Sequence, residues 1–122
     1  MKASERIRQR LKEKDVRFHS NDNIADFIEQ GELEELQKEV EDSFSGVLDA
    51  LVIDTENDHN TKETARRVAK MYIKEIFGGR FVQPPKITSF PNMGYRSLYT
   101  SGPISVKSTC AHHFQNIVGK CW

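Results

Sequence analysis

The sequence predicts an α+β fold, helices first and strands after. Apolar residues recur three or four apart from Leu33 to Leu51 and again from Ala65 to Phe77, which is the period of a helix with one buried face. A proline- and glycine-rich stretch, Pro84-Pro85, Pro91 and Gly94, then forbids regular structure, and beyond it the apolar spacing drops to two at Ile104 and Val106. The first 95 residues are therefore expected to be a helical region with its connector, and 96–122 to be strands.

Each element has its own signal. Ser4 is placed to cap a charged helix over about 4–14 in which Ile7 and Leu11 share a face; so weakly apolar a helix is expected to pack on a partner or fray. The run Ser20-Asn-Asp-Asn23 supplies turn chemistry, and Ile24, Phe27 and Ile28 at helical spacing predict a second helix over 24–30 that Gly31 interrupts. The long acidic helix over 32–51 carries its apolar positions as one stripe from Leu33 to Leu51, a core face or an oligomer seam. Asp54 to Asn60 is polar, and Asn60 with Glu63 three residues later reads as a capping box opening a helix over 61–77, which Gly78-Gly79 ends. After the connector, Ile104 and Val106 mark one strand, and Phe114 to Trp122 the start of another. Two strands make a poor sheet alone, and the chain stops on its single tryptophan inside one of them, so it is expected to be an incomplete piece of a longer protein.

Length and composition bound the rest. With 122 residues, 37% hydrophobic and 30% charged, the chain has the makeup of one globular domain. Its formal charge is zero, which gives no reason to expect a nucleic-acid or anionic-membrane partner. The first residues lack the apolar core of a secretion signal and no stretch approaches a membrane span, so a soluble cytoplasmic protein is expected. In that reducing setting Cys110 and Cys121 are better read as a metal ligand or a free thiol than as a disulfide.

The densest chemistry lies in Ser108-Thr-Cys-Ala-His-His-Phe114. Zinc takes thiolate sulfur and imidazole nitrogen in tetrahedral geometry, and a Cys-x-x-His spacing brings Cys110 and His113 to one ion if the backbone turns between them. His112 then lies off the metal pair but near whatever the metal holds, where a proton carrier is useful. Two ligands do not complete a site; the third is Cys121, His59 or a residue outside this chain. On the helix before the connector, Arg67 and Lys70 sit three apart and suit phosphate oxygens, although such pairs are also common on solvated faces.

Together these segments resemble GTP cyclohydrolase I of the bacterial and phage kind, in its N-terminal half. The resemblance runs from about Glu32 onward and rests on Asp58-His-Asn60, Thr64-Ala-Arg-Arg-Val-Ala-Lys-Met-Tyr72 with Phe77-Gly78, Pro85-Lys-Ile87, the Cys-Ala-His-His segment, and Gly119-Lys120. It implies a tunnelling fold (T-fold), in which antiparallel sheets backed by helices join copies into a ring, a decamer in the family, with active sites between subunits. It implies zinc-dependent hydrolysis of GTP to formate and 7,8-dihydroneopterin triphosphate, on the way to folate, biopterin or deazaguanine products. By similarity Cys110 and His113 are zinc ligands, the third being a cysteine beyond this chain. His112 is the proton donor as the imidazole ring opens, a task that imidazole suits because it titrates near neutrality. Arg67 and Lys70 would face the triphosphate, with Arg66 in a poorer register. Ala111 departs from the family, many of whose members carry glutamate there, and a fragment with two zinc ligands is expected to be inactive alone.

Two other readings compete. A small structural zinc module would close its site with Cys110, His113, Cys121 and His112 or His59, leaving no room for water. A helical oligomerisation fragment would use only the Leu33 to Leu51 stripe.

Overall fold

The computed structural model describes all residues from Met1 to Trp122 and meets the α+β expectation, with helices followed by a two-stranded antiparallel sheet. The chain forms two compact units, Met1–Gln83 and Pro84–Trp122.

The first unit is helical. Helix α1 spans Ala3–Glu13. Its cap is Lys2, whose backbone N–H donates to Glu5 Oε2 at 2.9 Å, while Ser4 sits inside the helix and donates its hydroxyl to Glu39 Oε2 at 2.5 Å. The expectation that this helix frays or needs a partner chain is overturned. Ile7 and Leu11 are among the most buried residues and form the core with Ile24, against which Phe18, Phe27, Leu36 and Phe81 pack. Three buried apolar positions, Ala3, Ile7 and Leu11, suffice because its arginines contribute as well.

Arg6 Nε lies 3.1 Å from Glu32 Oε1, and Arg10 pairs with Glu32 Oε2 while donating through Nε and Nη2 to the Phe27 carbonyl at 3.1 and 2.9 Å. Glu32 is 2% exposed and also accepts the Glu29 N–H at 2.9 Å. Burial by itself would raise its carboxyl; the Glu29 N–H and the two arginines together outweigh that and hold it below the usual carboxylate range.

The helix predicted over 24–30 is reduced to a single 3-10 turn, Ala25–Phe27. Distant groups claim its backbone. Asn23 Nδ2 donates to the Gly79 and Val82 carbonyls at 2.8 Å each, the Ile24 N–H donates to Arg80 O, and Arg80 in turn donates through its guanidinium to Phe18 O, His19 O and Asp22 O. Arg80 is half-buried, and desolvation lowers its pKa.

Helix α2, Glu32–Ala50, follows Gly31, whose φ of +85° is the left-handed region where glycine is favoured. It packs against α3, Thr64–Lys70. The predicted 61–77 helix thus starts three residues late. The reason is Asp58, which takes over the turn: its carboxylate accepts the Asn60 N–H and the Thr61 hydroxyl at 2.9 Å each, and its carbonyl accepts from the Thr61 and Lys62 N–H groups. Glu63 does not reach back to Asn60 but pairs with Arg66 at 2.6 Å.

After Lys70 the helix widens to π winding over Met71–Ile76, with the Phe77 N–H bonded to Tyr72 O at 2.8 Å. Residues five apart then fall on one side, and the Tyr72 and Phe77 rings lie 5.8 Å apart. Gly78 and Gly79 do not stop the chain; they begin one further turn, α4, Gly78–Phe81. No helix is long and apolar enough to cross a membrane.

In the second unit, 84–103 carries no helix or strand, and β1, Ile104–Thr109, pairs antiparallel with β2, Asn116–Cys121. The register runs from Thr109 opposite Asn116 beside the turn to Ile104 opposite Cys121 at the open end. β1 lies where the period of two placed it, and β2 falls within the expected Phe114 to Trp122.

Candidate functional site

The hairpin presents Cys110 to Gln115 as its turn. The Cys110 N–H donates to Gln115 O at 2.9 Å, and the Phe114 N–H donates back to Cys110 O at 2.8 Å. The second bond closes an α-turn, in which residues three apart share a side, so the backbone turns between Cys110 and His113 as a Cys-x-x-His metal pair requires. Phe114 takes a φ of +53° to bring the chain into β2.

Within the turn, the imidazole nearest in contact with sulfur is that of His112, with Nδ1 3.8 Å from Cys110 Sγ. His113 is exposed and makes no such contact. One thiol and two imidazoles in one turn are the donors zinc takes, and in that respect the residues fit the ion. No group of three or more His, Cys, Asp and Glu side chains is gathered tightly enough to hold it.

Cys121 cannot join these donors while the hairpin is formed. It sits five ladder positions from the Thr109–Asn116 pair, about 17 Å at the rise of an extended strand. That distance also excludes a Cys110–Cys121 disulfide, and both cysteines are free. Thr109, next to Cys110, escaped the sequence reading. Its hydroxyl oxygen is buried without a hydrogen-bond partner.

In the first unit, Arg67 and Lys70 lie three apart on α3, both exposed and free of any hydrogen bond or ion pair through their side chains. Arg66 is occupied by Glu63 at 2.6 Å. The geometry thus separates the two arginines that the sequence left adjacent. His59 is exposed in the loop before α3, and His19 contributes backbone groups to its turn.

The chain matches the model of the family described as GTP cyclohydrolase I over residues 40–122. Among curated relatives, it is 35% identical to GTP cyclohydrolase 1 of Flavobacterium johnsoniae over 114 residues, covering 87% of this chain and 49% of that protein. It is 39% identical to the Actinobacillus pleuropneumoniae protein of that name over 84 residues, 67% of this chain and 38% of the relative, and 38% identical to that of Shewanella baltica over 88 residues, 70% and 40%. The chain spans about half the length of the curated relatives it matches, or somewhat less. The match takes in α3 and the Cys-Ala-His-His turn together, and on it the chain belongs to the GTP cyclohydrolase I family.

Proposed function

We propose that this chain supplies the zinc-binding and proton-transferring turn of a GTP cyclohydrolase I, which hydrolyses GTP to formate and 7,8-dihydroneopterin triphosphate. The observation that carries the reading is the turn itself. A thiol and two imidazoles, in the order the family motif has them, sit on one hydrogen-bonded turn, and that supports the reading.

In this reading Cys110 and His113 hold Zn2+, with a third ligand from outside the chain. Zn2+ held there would supply Lewis-acid chemistry, making water a usable nucleophile at neutral pH. His112 gives a proton to the opening imidazole ring of the substrate, a role supported by its contact with Cys110 in the same turn. Arg67 and Lys70, with no ion pair or hydrogen bond on either side chain, are available to the substrate triphosphate. Ala111 removes a carboxylate from beside His112 and is expected to affect rate more than reaction type. A T-fold ring of copies, a decamer as in the family, would bring the site together. Free thiols suit a reducing compartment, and we place the protein in the cytoplasm. The register of Cys121 weighs against the structural zinc module.

The test uses the 122-residue chain alone and the same chain joined to the remaining half of its Flavobacterium johnsoniae relative. The fusion is expected to bind zinc and release formate and a fluorescent pterin from GTP; the chain alone is expected to release none. His112→Ala in the fusion should keep zinc and lose formate. An assembled, zinc-loaded fusion that releases no formate overturns the reading, and formate from the chain alone overturns its inactivity.

A further inference from the structure

The zero net charge of the chain conceals a separation. All 18 acidic residues lie in the first unit beside 14 of the 18 basic ones, whereas the second unit holds the other four, Lys86, Arg96, Lys107 and Lys120, and no acidic side chain. The first unit is thus formally −4 and the second +4. Even the Cys-His-His turn adds no acid, because position 111 is alanine.

Register brings two of these cations together. Lys120 stands opposite Ser105 and Lys107 opposite Val118, and residues two apart on a strand share a face. One face of the hairpin therefore carries Lys107, Lys120, Thr109 and Asn116, and the other Ile104, Val106, Ile117 and Cys121. Exposure agrees with that division: Val118 on the lysine face is 77% exposed, against 36% for Val106 on the apolar one. Lys107 and Lys120 are diagonal neighbours, about 7–8 Å apart. Neither side chain has a hydrogen bond or a carboxylate partner. Two like charges so placed repel, and an anion with several oxygens bridging them relieves the repulsion. The unpartnered Thr109 hydroxyl belongs to the same face.

We propose that this lysine face receives the phosphate chain of a nucleoside triphosphate, with Lys107 and Lys120 capturing phosphate oxygens beside the Cys-His-His turn. The proposal rests on the cyclohydrolase reading and gives a role to Lys107, which no motif contains, and to Lys120, which the Gly119-Lys120 motif contains without a role. Lys107 is three residues from Cys110, about 10 Å along an extended strand, so a base at the turn and phosphates at the lysines belong to one nucleotide-sized ligand. A unit without carboxylates is also the surface a polyanion approaches without repulsion, and the attraction should fall as salt rises.

Calorimetric titration of the 122-residue chain with inorganic tripolyphosphate, at low and raised salt, tests this without zinc or turnover. K107Q/K120Q is expected to weaken binding about fivefold or more, K107R/K120R to stay within about twofold of wild type, and K86Q/R96Q to change it less than about twofold. Equal losses in K107Q/K120Q and K86Q/R96Q would reduce the effect to net charge and overturn the assignment, as would no binding by wild type or an unchanged K107Q/K120Q. Failure here leaves the formate test of the fusion standing. A zinc-loaded fusion without formate release, alongside intact tripolyphosphate binding, strikes the enzymatic reading instead.

Discussion

Replacing Glu32 with glutamine tests how the first unit is held together. The Glu32 side chain is 3% exposed and lies between Arg6, 32% exposed, and Arg10, 24% exposed, while also accepting the Glu29 N–H. Glutamine keeps the volume and one carbonyl oxygen, but it removes the charge and turns an N–H2 group toward two guanidiniums. Breaking a buried ion pair by removing one partner costs about 3–5 kcal/mol. Here both arginines still touch water, Arg6 keeps Glu35, and Arg10 keeps the Phe27 carbonyl, so the cost falls to the bottom of that range or just below it. A loss of about 2–3 kcal/mol is expected, which in a unit of this size lowers the melting midpoint by roughly 10–20 °C.

The pH dependence follows from the depressed Glu32 pKa. A carboxyl with a lowered folded pKa contributes stability that is complete above its ordinary value and is lost as pH falls through the folded one. The wild-type and variant midpoints should therefore differ most near neutral pH and converge in acid. Thermal melts followed by circular dichroism across that range measure both. A variant within about 2 °C of wild type at neutral pH, or a gap that widens in acid, would refute the account.

Leu11→Ala empties a site that is 2% exposed and should cost about 3 kcal/mol in urea unfolding, where a fraying helix would show little change. Cys110→Ser should weaken zinc binding by the fusion protein while Cys121→Ser leaves it unchanged, as measured by metal titration, because the hairpin holds the two sulfurs apart. Gly102→Ala puts a Cβ 2.7 Å from Trp122 Cδ1 and 2.9 Å from the Cys121 carbonyl, at a φ of +153°; faster amide exchange at the open end of the hairpin and a shift in Trp122 fluorescence are expected. Arg67→Gln and Lys70→Gln in the fusion should each raise KM for GTP by about tenfold with smaller effects on kcat, and Arg66→Gln should do less because Glu63 already holds Arg66.

Periodicity made most of the fold legible. The stripe from Leu33 to Leu51 located α2 to within a residue, and the spacing of Ile104 and Val106 located β1, since one buried helical face and one alternating strand each leave a direct imprint on the order of residues. What escaped was set by partners far away in the chain. Ile24, Phe27 and Ile28 have helical spacing, yet Arg80 and the Gly79 and Val82 carbonyls, more than fifty residues on, claim that segment. The burial of α1 was hidden because Arg6 and Arg10 look like solvated charges until Glu32 is brought to them. At the site, the turn was readable from seven consecutive residues. The contact between Cys110 and His112 was not, because side-chain torsions inside a turn leave no trace in spacing. Nor was the pairing of Lys107 with Lys120, which exists only through strand register.

The link between Asn23 and the chain at Gly79 spans 56 positions, and Arg80 reaches back 58 to Asp22. Those contacts impose an order on synthesis. Helix α1 leaves the ribosome before α4, so the loop that covers one side of it has nothing to fasten to until α4 emerges, and closing so long a segment comes late in folding. Until then Ile7 and Leu11 are only partly covered, and a nascent chain halted at Phe77 should be cut readily by protease between Phe18 and Ile24, whereas one extended to Gln83 should resist. Within this unit, the helix made earliest is thus the last to be protected.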